Sequence, residues 1–468
     1  MDVIRSSASD ILGALRSGQL SSEAVMDATL ARITAVNPEL NAIVALRSAE
    51  ELIAEARAAD AAAPEARGAL HGLPIAIKDL ESIAGVPTTM GSPLFADFVP
   101  DKDSLLPSRL RAAGAILIGK TNVPEFGIGS HTFNPVYGAT GNPYAPALSC
   151  GGSSGGAAVA LATGMTALAD GSDEMGSLRN PAAWNNVYGF RPTWGTVPLD
   201  PERELFLHQL ATLGPMGRSP ADIGIMLDVI AGSDARVPLS VNAPKASPVS
   251  PADLKGVRIG WLGDWGGAYA MESGILELCE SGLRVLETLG AAVEPVPAPM
   301  DAAAIWEAWL DLRSWGKAGS LEPLLRQNRS ALKDTAIWEI ERGLGLSAMD
   351  VHRASVKRSN WYKRSVELFD EFDALVLPSA QVWPFDVNVP YPKEIAGRTM
   401  DTYHRWMEVT IPIGLIGLPS LAVPAGFGPQ GVPMGFQIFG PRGGDAALLA
   451  LGEAYHQATT WPQRHPAM

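Results

Sequence analysis

The sequence predicts an α/β protein built around a large core. Short apolar runs bounded by glycine or proline alternate along the chain with longer amphipathic or alanine-rich stretches of helical spacing. Hydrophobic residues make up 47% of the 468 residues and charged ones 18%, the balance of a chain that buries much of itself. The net charge of −14 speaks against a nucleic-acid backbone as the main ligand.

The elements follow in order. Residues 7–46 read as two helices, with Ser7 and Asp10 as an N-terminal cap and Gly18 as a stop. The second helix starts at Ser21 or Ser22, puts Met26, Leu30 and Ile33 on one face, and ends at Asn37–Pro38. A further helix covers 49–62. Residues 73–77 form a short buried strand that ends on Lys78, at the carboxyl edge where α/β ligand sites gather. A helix at 105–113 stops at Gly114 and leads into a strand at 115–118. The Gly119-Lys120-Thr121 that follows lacks the upstream glycines of a phosphate loop.

Residues 155–163 form a small, apolar helix, 167–171 a strand, and Pro181 sits in the first turn of a short helix. Residues 198–218 read as loop or short helix, 220–230 as helix, and 243–251 as a Pro/Ser/Ala linker. A strand at 257–261 and a helix at 274–289 follow. Residues 299–372 are mostly helical and hold Trp306, Trp309, Trp315, Trp338 and Trp361. Strands at 374–377, 417–426 and 432–440, the last two paired, precede a final helix at 446–458.

Two cysteines, Cys150 and Cys279, lie far apart and form no metal-binding spacing; a disulfide framework is excluded and a reducing compartment is expected. The first residues carry no apolar leader, and the longest apolar runs are broken by glycine or proline, so a soluble, cytoplasmic protein is expected. The seven histidines show no ligand spacing, and no metal or cofactor is expected.

The chemistry concentrates between Cys150 and Pro192. Gly151-Gly152-Ser153-Ser154-Gly155-Gly156 and Gly171-Ser172-Asp173-Glu174-Met175-Gly176-Ser177 are two serine sites set among glycines. A hydroxyl beside free backbone amides is what acyl transfer needs, a nucleophile next to an oxyanion hole. Together with Gly72-Leu73-Pro74-Ile75-Ala76-Ile77-Lys78-Asp79, this stretch resembles the amidase signature, a serine- and glycine-rich block shared by a large family of amide-hydrolysing enzymes. The separation of Ser153 and Ser177, 177 − 153 = 24, fits that pattern.

The resemblance implies one amidase-signature domain over 1–468, with a large mixed β-sheet covered by helices on both sides. Within it lie an N-terminal helical layer (1–70), a signature core (71–240), a variable helical cap (299–372) and the rest of the core (373–468). It implies Ser177 as nucleophile, Ser153 as bridging serine after a cis Gly152–Ser153 bond, and neutral Lys78 as base. The backbone amides of Glu174, Met175, Gly176 and Ser177 would form the oxyanion hole. Ser154, Asp173 and Arg179 would support the site, and Gly127, Ile128, Gly129 and Ser172 would meet substrate. The activity implied is hydrolysis of a C–N acyl bond in a small amide or carbamate, with side activity on esters, by a monomer or homodimer that uses neither nucleic acid nor membrane.

Two departures stand out. Met175-Gly176 replaces the family's Gly-Gly, and Cys150 stands where proline is common. Met175 is strained if the family glycine serves a positive φ, and shapes the pocket wall if it serves only space, which the fitting flanks favour. The tryptophan-rich cap leans toward apolar or aryl substrates.

Other readings exist. The family includes the glutaminase component of tRNA-dependent amidotransferases, which works in a complex. Gly152-Ser153-Ser154-Gly155-Gly156 also fits a G-x-S-x-G elbow with Ser154 as nucleophile and His404 or His456 as partner. Ser314–Lys317 and Ser330–Lys333 both fit S-x-x-K, which shows how little that pattern carries.

Overall fold

A computed structural model describes all of residues 1–468. The core is an eight-stranded mixed sheet. Its order is Ala292–Pro295, Arg258–Trp261, Ala374–Pro378, Pro433–Phe439, Ser420–Phe427, Tyr188–Arg191, Thr212–Gly217 and Leu168–Asp173. The first three strands are parallel and every later pair is antiparallel. Four of these strands are buried along their whole length and two more at all but one residue, which is why several read as continuous apolar runs rather than alternating ones.

A separate three-stranded sheet pairs Ile43–Val44 with Ile116–Thr121, and Ile116–Thr121 in parallel with Pro74–Lys78. Pro74–Lys78 lies beside Leu168–Asp173, the edge strand of the large sheet. There the Lys78 amide donates to Asp170 Oδ1 at 2.8 Å. The functional region sits at this seam between the sheets.

Local chemistry explains the element ends. Ser7 accepts from the Asp10 amide to start the helix Ala8–Ser17, and Gly18, at φ 71°, ends it. The second helix, Ser22–Leu40, runs past the expected stop at Asn37–Pro38. Pro38 forfeits one helical hydrogen bond, but the Asn37 side chain accepts from the Ala42 and Ile43 amides and secures the chain's exit. Thr212–Gly217 is a buried strand where loop or short helix was expected. Its Gly214 and Pro215 mimic turn residues, yet it pairs with Leu168–Asp173 over six residues.

The cap consists of Ala302–Asn328, Asp334–Leu344 and Ala348–Phe369. The first two pack closely because Gly343 lies against the Ser314 carbonyl, where a Cβ would clash. No helix is long and apolar enough to cross a membrane. Replacing Gly343 with valine should part these two helices and lower stability by about 1–3 kcal/mol in denaturant titrations, the usual effect of overpacking.

Candidate active site

Lys78 ends its strand with a side chain 1% exposed. Its Nζ lies 2.8 Å from Ser153 Oγ, 2.8 Å from Ser154 Oγ and 2.9 Å from Ser172 Oγ. No carboxylate touches the amine. Burial is the main influence on it and lowers its pKa to about 7, although the charges of Asp170, Asp173 and Glu81 pull the other way. A buried amine that is free of a salt bridge and ringed by hydroxyls can take a proton from one of them near neutral pH.

The two serine turns meet at this amine. The Gly152–Ser153 peptide bond is cis, as the resemblance implies. The Ser154 amide donates to the Ser177 carbonyl at 3.2 Å, which ties the first turn to the second. Ser154 then starts the helix Gly155–Ala162, whose eight residues are all buried and small enough to pack behind the site. Ser177 Oγ has no hydrogen-bond partner, and Ser177 is 8% exposed to the cavity it borders.

Asp173 organises the second turn. Arg179 clamps its carboxylate at 2.8 and 3.0 Å, Arg191 reaches it at 3.3 Å, and all three side chains are fully buried. The same carboxylate accepts the Gly176 amide at 2.9 Å and the Leu178 amide at 3.1 Å. Burial works against ionisation of Asp173, but the two arginines outweigh it and hold its carboxyl well below the usual range.

This bonding corrects the expected oxyanion set. Gly176 already gives its N–H to Asp173, whereas the amides of Glu174, Met175 and Ser177 have no partner in the protein. The Met175 question is also settled by the backbone. Gly176 takes the left-handed conformation, at φ 80°, and a Cβ there would sit 2.6 Å from Thr410 Cγ2. Met175 has no positive φ and lines the cavity wall.

The cavity holds about 110 Å³ and brings Ser153, Ser172 and Ser177 to one space. Leu80, Phe126, Met175, Leu199, Leu213 and Met407 supply its apolar wall. Gly127 and Gly129 border the cavity, but Ile128 does not: its side chain packs with Ala336 and Tyr403 under the cap. The loop's path explains this. Lys333 donates to the Ile128 carbonyl at 2.7 Å and draws that residue away from the serines.

The lining also carries five charged side chains, Glu81, Glu174, Arg203, Arg313 and Lys317. Glu174 pairs with Lys317 at 2.8 Å and with Arg313 at 3.3 Å, both from the cap helix Ala302–Asn328. Arg203 pairs with Glu81 at 2.8 Å. None of the five cap tryptophans reaches the cavity. Trp306 and Trp309 pack against each other and His404, Trp315 against His208, and Trp361 donates to the Pro412 carbonyl. Their contacts lie within the protein and away from the cavity, so they do not support the lean toward aryl substrates.

The elbow reading also fails on position. Ser154 is fully buried against Lys78 and no histidine lines the cavity. His404 lies by Glu339 and His456 by Tyr188.

Sequence reasoning missed Arg191, Arg313, Lys317 and Asp170. The two cap cations come from more than 130 positions downstream of Glu174, and nothing in the sequence links them to it. Asp170 stands three residues before Asp173 on the same strand, inside the stretch already singled out.

The amidase family model matches residues 24–449. The chain is 33% identical over 471 residues to an acylamidase of Rhodococcus erythropolis, covering 98% of this chain and 97% of that one. It is 33% identical over 484 residues to the A component of the glutamyl-tRNA(Gln) amidotransferase of Chloroflexus aurantiacus, covering 97% of each. Among solved structures, it superposes on a bacterial aryl acylamidase of the amidase signature family with a TM-score of 0.91 at 28% identity, covering 99% of both chains.

Asp173→Asn should cost about 3–5 kcal/mol, because two buried guanidinium groups lose their counter-charge. In the unaltered protein the stabilisation from Asp173 is complete above the normal carboxylate pKa, because its folded-state value is depressed. It is lost as pH falls through the acid range, so stability measured in denaturant should decline there, and the decline should be shallower in Asp173→Asn.

Proposed function

The chain belongs to the amidase signature family of amidohydrolases, and from that premise we propose that it hydrolyses a C–N acyl bond through an acyl-enzyme on Ser177. The observation that carries this reading is the Lys78 amine, which has a pKa of about 7 and lies 2.8 Å from Ser153 in a cavity that also exposes Ser177.

The steps use these groups in turn. Neutral Lys78 takes the Ser153 hydroxyl proton, and Ser153 takes that of Ser177 as its Oγ bonds to the amide carbon. Ser177 Oγ is unpaired in the structure and turns to Ser153 when substrate enters. The unpartnered amides of the turn, Met175 and Ser177 foremost, receive the oxyanion. The proton returns along the same path to the leaving nitrogen as the C–N bond breaks. Water then attacks the Ser177 ester and gives up its proton by the same route, releasing the acid and restoring Ser177. Ser154 and Ser172 hold the Lys78 amine in line, and Asp173 with Arg179 holds the turn.

The apolar wall around Met175 and Met407 suits an acyl or aryl group, and the acylamidase and aryl acylamidase relatives support amides of that kind as first substrates. Carbamates and esters are reachable by the same acyl-enzyme. The 33% identity to an amidotransferase component supports a second reading, release of ammonia from glutamine within a complex. Turnover of an aryl amide by the purified chain alone favours the first; glutaminase activity that needs a copurifying partner favours the second.

Ser177→Ala should lose about 10⁴-fold or more of kcat on a matched aryl amide, ester and carbamate. Near-normal turnover in that variant would end the assignment. In the unaltered enzyme kcat/KM should rise with pH through about 7, because the base must shed its proton first. Lys78→Ala should lose that limb as well as most of its rate, and a profile flat from acid to base in the unaltered enzyme would contradict a lysine base.

A further inference from the structure

Asp170 has no part in these steps, yet it lies directly beneath the lysine. Its side chain is fully buried, Oδ1 accepts the Lys78 amide at 2.8 Å, and Oδ2 has no hydrogen-bond partner. A buried carboxylate with one oxygen unsatisfied is costly, and a purely structural position would be served as well by a neutral acceptor. Asp170 also lies outside the cavity lining, so substrate does not repay that cost.

We propose that the Asp170 carboxylate is a positioning residue that sets how firmly Lys78 holds the proton it receives from Ser153. The inference rests on the reading of Lys78 as the base. Burial alone drives the amine toward neutrality, and an amine pushed too far accepts a proton poorly when Ser177 attacks. A negative charge in the same low-dielectric seam restores its basicity without touching Nζ, which leaves the amine free for the three hydroxyls.

The other charged groups around this pair do not replace Asp170. Asp173, on the same strand, is committed to Arg179 and Arg191. From the turn after Lys78, Glu81 is paired with Arg203, and Asp79 is held by Thr89. Lys120, on Ile116–Thr121, donates to the Glu81 carbonyl, and Lys317 of the cap is paired with Glu174. The neighbouring strand Thr212–Gly217 places Pro215 opposite Asp170 and carries no titratable side chain. The helix Gly155–Ala162 carries none either. Asp170 is the largest of the charges that raise Lys78, and burial lifts its own pKa to about 6, so it is mainly ionised where Lys78 titrates.

The test is Asp170→Asn, which keeps an acceptor for the Lys78 amide and removes the charge. The acid limb of kcat/KM on an aryl amide should move down by about one pH unit or more, with a lower plateau in kcat and little change in KM. Asp170→Glu, which keeps the charge, should hold the limb nearer its original place. If the asparagine variant folds poorly, Asp170→Ser supplies the same neutral acceptor. The pH dependence of Ser177 inactivation by a sulfonyl fluoride reads the base without turnover. An unmoved limb in a folded neutral variant overturns the proposal. Persistence of the limb in Lys78→Ala would instead sink the reading of Lys78 as base, so the two failures are separable.

Discussion

The buried charge of Asp173 is the constraint on which the site depends. One carboxylate binds two arginines and two backbone amides, all out of water. Arg179 goes on to the Thr410 carbonyl and Gln437, and Arg191 to the Leu210 and Gly414 carbonyls. The turn that carries Ser177 is thereby fixed to segments more than 200 residues downstream. Burying three charges gives little net stability. It does fix the turn, with Gly176 held in a conformation few residues adopt and its amide directed at Asp173.

Asp170 and Asp173 show how environment divides two identical side chains. They share one six-residue strand and are both fully buried. Asp173 has two guanidinium partners and is held as an anion. Asp170 has only a backbone amide, and burial pushes it up to about 6. The strand thus places a fixed charge under Ser177 and a titratable one under Lys78. Pairs whose surroundings push their proton affinities apart are a common mark of acid–base sites.

Much of this was legible in the sequence, for identifiable reasons. The strand ending on Lys78 and the two glycine-bracketed turns are written in short contiguous stretches, and the resemblance they carry implies the mixed sheet and the meeting of Lys78 with the two serines. The strand Thr212–Gly217 was hidden because Gly214 and Pro215 imitate a turn. Ile128 was misplaced because its exit from the cavity depends on Lys333, 205 residues away. The fate of the Gly176 amide depends on a carboxylate rotamer that no spacing encodes. The tryptophans misled because an aromatic's abundance on a cap does not say which side of the helix meets substrate, and here they pack against one another and against Tyr403 and His404.

Glu174 joins the chemistry of the turn to the cap. Its backbone belongs to the turn before Ser177, while its carboxylate is held by Arg313 and Lys317 of the helix Ala302–Asn328. Arg313 is anchored in turn by Glu339 of the next helix and by the Tyr403 hydroxyl. The cap is therefore tied by ion pairs directly to the turn that carries the nucleophile. Lys317, Arg313 and Glu174 thus give the cavity a charged border drawn from cap and turn together, alongside the apolar wall of Met175 and Met407.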